Sequence, residues 1–88
     1  MQVRVRLLGS LRPPNLHGGV EVELPTGSNL ATLVEDISET YPDISDALRS
    51  LSGNLMIING VEAGNLLGLA TPLDEGSEVV LVPVTHGG

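Results

Sequence analysis

The 88-residue sequence predicts a two-layer α+β domain, with one main helix laid across one face of a mixed, mostly antiparallel sheet. Three observations carry this. Val3 to Leu7 and Val20 to Leu24 alternate apolar and polar residues, as half-buried strands do. Leu30, Leu33, Val34, Ile37 and Tyr41 fall on one helix face. Leu55 to Ile58 and Val79 to Val84 are short apolar runs bounded by turn residues, which reads as buried strand.

In the first strand Val3, Val5 and Leu7 alternate with Arg4 and Arg6. Gly9 to Gly19 is a loop, marked by Pro13-Pro14 and Gly18-Gly19. In the second strand Val20, Val22 and Leu24 alternate with Glu21 and Glu23, and Pro25 and Gly27 end it. Paired as a hairpin, the two strands place Arg4 and Arg6 on one outer face with Glu21 and Glu23. Such cross-strand pairs contribute roughly a few tenths of a kcal/mol each.

Asn29 or Ser28 caps the main helix. Pro42 stops it, because proline disfavours helical geometry at the residue before it. Ile44, Ala47, Leu48 and Leu51 repeat the helical spacing in a second, shorter helix, with Gly53 as its terminator. After the strand at Leu55 to Ile58, Asn59-Gly60 is a hairpin turn. Val61 to Ala63 continues as a short strand, Gly64 to Pro72 is irregular, and Asp74-Glu75-Gly76 turns again. Val79 to Val84 is the last strand and runs straight into Thr85-His86-Gly87-Gly88.

One amphipathic helix over a sheet of this order is a β-grasp, in which the first and last strands pair in parallel at the centre. The expected organisation is a β-grasp domain over residues 1–84 and a flexible diglycine tail over 85–88.

A chain this short buries only about 60–65% of its unfolded surface. Its core is aliphatic, since Tyr41 is the sole aromatic residue. There is no cysteine, hence no disulfide, thiolate metal site or cysteine nucleophile, which fits a cytoplasmic setting. The alternating start is unlike a signal peptide, and Val79 to Val84 is far too short to span a bilayer.

The net charge is −7, with Arg4, Arg6 and Arg12 in the first dozen residues and all eleven acids after them. Nucleic acid and anionic membranes suit such a chain poorly, and a basic groove on a partner protein suits it better. Lysine is absent, so no side chain of these residues accepts an isopeptide bond.

Catalysis needs a nucleophile with a base, tuned carboxylates or a metal. His17 and His86 lie in a loop and in the tail, without metal-ligand spacing. Asp36 and Glu39 read as the solvated face of a helix, and no glycine-rich phosphate loop is present. The chain is therefore not an enzyme by itself, and no cofactor or metal is expected.

Gly87-Gly88 points elsewhere. Glycine carries no Cβ, so such an end threads a narrow channel and presents a bare carboxylate to another enzyme. The strand before it is apolar on both faces. With Val79 and Leu81 turned to the core, Val80, Val82 and Val84 point out. Leu55 and Ile57 join them if Met56 and Ile58 point in. An aliphatic face beside the tail root is a docking surface.

The element order, the strand Val79 to Val84 and the ending Pro83-Val84-Thr85-His86-Gly87-Gly88 resemble the ubiquitin-like sulfur carriers. These include the molybdopterin-synthase small subunit (MoaD), the thiamine-pathway carrier (ThiS) and archaeal modifiers. Leu69 to Val80 is similar to the family's turn before its last strand, and His86-Gly87-Gly88 to the end of the ubiquitin-related modifier.

The resemblance implies a ubiquitin-activating-type adenylating enzyme that binds the apolar face and uses ATP to adenylylate the Gly88 carboxylate. Sulfide or a persulfide displaces AMP, leaving a thiocarboxylate. Its sulfur passes to an acceptor in molybdopterin, thiamine, cysteine or tRNA thiolation, for example through the large subunit of molybdopterin synthase. Gly88 is then the reacting group and Gly87 its slim lead. Ile57, Val80, Val82, Val84, Thr85 and His86 are partner contacts, and the free carrier is a monomer. His86 stands where the molybdopterin subunit has a small residue, and Pro83 follows Val82 rather than a second proline, so the end user stays open. The alternatives are a protein modifier joined through Gly88 to target lysines, and a plain interaction module.

Overall fold

A computed structural model describes residues 1–12, 19–49 and 54–83. The expectations for Pro13-Pro14, His17, Gly18, Leu51, Gly53 and residues 84–88 lie outside them. Strands β1 (Gln2–Leu7), β2 (Gly19–Glu23), β3 (Asn54–Ile58), β4 (Val61–Glu62) and β5 (Glu78–Pro83) form one sheet in the order β2-β1-β5-β3-β4. β1 and β5 pair in parallel, and the other three pairings are antiparallel. The expected mixed sheet is present, with β5 at its centre.

Helices α1 (Leu30–Thr40) and α2 (Ser45–Arg49) supply the second layer. Val3, Val5 and Leu7 of β1, Val79 and Leu81 of β5, and Met56 and Ile58 of β3 are buried together with Leu30, Leu33, Val34 and Ile37 of α1 and Leu48 of α2. The period of two in the strands and the helical period in α1 thus meet in one core.

Asn29 is the cap of α1. Its Oδ1 accepts from the Thr32 backbone N–H at 3.0 Å and from the Thr32 hydroxyl at 3.1 Å. Ser28 does other work, donating to the Pro25 carbonyl at 2.7 Å. The helix ends at Tyr41, whose N–H donates to the Ile37 carbonyl at 2.8 Å, and Pro42 opens a 3-10 turn, Pro42–Ile44, before α2. Ser38 is buried on α1, and among the described residues its hydroxyl has no hydrogen-bond partner.

At the β3–β4 hairpin Asn59 and Gly60 both have positive φ, +49° and +84°, as a type I′ turn requires. Asn59 also ties the turn to β5: its Oδ1 accepts from the Glu78 N–H at 2.8 Å, and its own N–H donates to the Glu78 carbonyl at 2.8 Å. Ala63, expected to end the short strand, instead opens a 3-10 turn, Ala63–Asn65, and the stretch expected to be irregular holds a second, Gly68–Ala70. Thr71 closes the second by donating to the Gly68 carbonyl at 2.7 Å. The loop is fastened to the start of α1, since Leu30 N–H donates to the Thr71 carbonyl at 3.0 Å.

The charge pairing across β1 and β2 differs from the expectation. Register sets Arg4 against Glu21, but Arg6 faces Gly19 and Glu23 faces Gln2. The pairing starts where the Met1 amino group donates to the Leu24 carbonyl at 2.7 Å, which fixes the register. The Glu23 carboxylate lies 3.6 Å from that amino group instead of beside an arginine.

Candidate functional site

β5 decides the geometry of the site. Val79 and Leu81 are wholly buried against the helices, so Val80 and Val82 emerge on the other face. β3 repeats this, with Met56 and Ile58 inward and Leu55 and Ile57 outward. Register then sets Ile57 beside Val80 and Leu55 beside Val82. Directly opposed side chains in such pairs stand about 5 Å apart, so the four form one aliphatic patch.

All four are half-buried, because each flanks the others within the sheet. The two helices pack on the opposite layer. The expected outward placement of Ile57, Val80 and Val82 therefore holds, and these three come together. Val84, Thr85, His86, Gly87 and Gly88 lie outside the described residues.

The patch reaches the last described turn of the chain before the tail. Pro83 closes β5 and is half-buried. The end of β1 holds it there: Leu8 N–H donates to the Leu81 carbonyl at 3.0 Å. Gly9, at φ +57°, then turns the chain so closely over Pro83 that a Cβ on Gly9 would lie 3.0 Å from the proline Cγ. Both the backbone angle and the contact call for glycine.

Sequence reasoning missed the most exposed large apolar residues, Leu67 at 68% and Val61 and Leu66 at 43%. Leu66-Leu67 in a glycine-bounded stretch was the available signal. A cleft of about 230 Å³ lies near them, lined by Leu30, Met56, Ala63 and Leu69 with Asn54 and Glu62. It opens on the helix side rather than on the patch. Among the described residues no group of three or more His, Asp or Glu gathers as metal ligands do. No helix of the described residues is long and apolar enough to cross a membrane.

The model of the ThiS family matches residues 5–88. No curated protein matches the chain. Among solved structures it is similar to small archaeal modifier protein 1 from Methanosarcina acetivorans, with 20% identity and a TM-score of 0.81 over 99% of this chain and 96% of that one. It is also similar to CysO of Mycobacterium tuberculosis, an antigen, with 24% identity and a TM-score of 0.75 over 94% and 99%. A chain in the complex of subunits 1 and 2 of the molybdopterin-converting factor from Helicobacter pylori shares 23% identity at a TM-score of 0.62, over the full length of both.

Proposed function

The chain belongs to the ThiS family of ubiquitin-like sulfur carriers and modifiers, and from that premise we propose that it carries sulfur on Gly88 as a co-substrate of an ATP-dependent activating enzyme. The observation that supports this best is the continuity of the aliphatic patch with β5, the strand that leads into Gly87-Gly88. Docking on the patch holds the end of β5, five residues before Gly88 in the sequence, at the partner.

The chemistry follows from the weakness of a carboxylate as an acyl donor. The Gly88 carboxylate attacks the α-phosphorus of ATP, giving the acyl-adenylate and pyrophosphate. Hydrosulfide adds to the activated carbonyl and AMP leaves, so one oxygen of the carboxylate is replaced by sulfur. Gly87 and Gly88 have no Cβ to obstruct a narrow channel. The domain's own contribution is binding and orientation, which brings the reacting groups together at high effective concentration.

The sulfur acceptor is then a second partner that uses the same patch in turn. The Helicobacter pylori complex, in which subunits 1 and 2 of a molybdopterin-converting factor are joined, supports a synthase subunit of that kind. A second reading, a modifier whose activated carbonyl is taken by a target lysine, is supported by the likeness to small archaeal modifier protein 1. As these residues hold no lysine, such a modifier forms no lysine-linked chains of itself.

ATP–pyrophosphate exchange with the activating enzyme of the same cell tests the reading. Exchange is expected with the full chain and lost on deleting Gly88. Equal exchange in both would place the reacting carboxylate elsewhere.

A further inference from the structure

Two arginines stand on the outer sheet face beside the aliphatic patch. On the outer face Arg4 has Glu21 on one side and Glu78 on the other in the sheet register. Arg6 has Gly19 on one side and Val80 on the other. Both arginines are exposed, and neither makes an ion pair or side-chain hydrogen bond among the described residues.

Gly19 is the reason the two arginines gather. A Cβ there would lie 3.2 Å from Arg4 Nε and 3.5 Å from Arg6 Cγ. The Arg4 side chain thus leaves the Glu21 row and lies over the bare backbone of Gly19, next to Arg6. The pair borders the aliphatic patch at Val80.

Any partner that covers Val80 and Ile57 also removes water from Arg6, one strand spacing of about 4.8 Å away. A guanidinium cannot lose its proton, and burying it without an acceptor opposes binding. The carboxylate on its row, Glu62, stands three strands away beyond Val80 and Ile57. The carboxylates nearest in the sheet, Glu21 and Glu78, flank Arg4 in its row without closing an ion pair to either arginine among the described residues.

We propose that the outer sheet face, on the reading that it docks the activating enzyme, takes a partner surface made of an apolar pad bordered by carboxylates that pair with Arg6 and Arg4.

The test is the dissociation constant of the full chain for the activating enzyme, measured by titration without ATP. Arg6→Gln is expected to weaken binding about tenfold, as loss of one partner of a desolvated charge pair does. Arg6→Lys keeps the charge and should stay within about threefold of wild type. Ala47→Glu changes net charge by the same amount on the exposed surface of α2 and should stay within about twofold. Equal effects of Arg6→Gln and Ala47→Glu, or tighter binding by Arg6→Gln, would overturn the proposal. So would a dimer of the wild-type chain in sedimentation that Arg6→Gln abolishes, since the face would then belong to a second copy. The titration is independent of the tail: an enzyme that binds the chain but does not adenylylate it would sink the carrier reading while still deciding this one.

Discussion

Ile57 and Val80 stand side by side in the register of β3 and β5, and both turn away from the helices. Neighbouring Leu55 and Val82 repeat the arrangement one pleat nearer the tail. Val82→Asp should therefore weaken binding to the activating enzyme at least tenfold, about 1.4 kcal/mol. The side chain is outside the core, so urea unfolding should show a loss of only about 1 kcal/mol in stability. Unchanged affinity would show that the partner docks elsewhere.

Gly9 is held to glycine by two separate constraints, its φ of +57° and the Pro83 ring. Gly27 carries only the first, at φ +90° with nothing within 4 Å of its Cβ position. Gly27→Ala should cost about 1–2 kcal/mol from backbone strain, and Gly9→Ala about 1 kcal/mol more from crowding against Pro83. Urea unfolding of the two variants reads the difference. Equal losses would mean that Pro83 yields without cost.

Ser38 gives a prediction of opposite sign. Its buried hydroxyl has no partner among the described residues, and an unpaired buried polar group costs about 1–3 kcal/mol. Alanine also favours the helix interior. Ser38→Ala should raise stability by about 1 kcal/mol, seen as a higher melting temperature. A fall would show that the hydroxyl is satisfied in solution.

The fold was legible where one period dominated. Alternation marked β1 and β2, the apolar stripe marked α1, and Asn59-Gly60 marked its turn because only such residues take positive φ at both positions cheaply. Inside and outside on β5 were harder, since Val79 through Val82 are all apolar and composition cannot choose between the faces. Register with Arg4 and Arg6 settles it, because β1 alternates clearly and β5 lies in parallel beside it. The seat at Gly19 was not legible at all. Arg6 and Glu23 look like partners by charge, but the hairpin register is set by the Met1 amino group and Leu24, which puts Gly19 opposite Arg6. Likewise, Gly9 and Pro83 are far apart in sequence and meet only through the parallel pairing of β1 and β5.

The central claim is that Gly88 carries sulfur, and the intact mass of the protein tests it most directly. The chain is incubated with ATP, a sulfur donor and the activating enzyme of its own cell. The account predicts a mass gain equal to sulfur replacing one oxygen, absent from a chain without Gly88. An AMP adduct that passes to lysines of other proteins without gaining sulfur would favour the modifier reading. No mass change with an enzyme that binds the chain would contradict the carrier account and leave the aliphatic face as a binding surface alone.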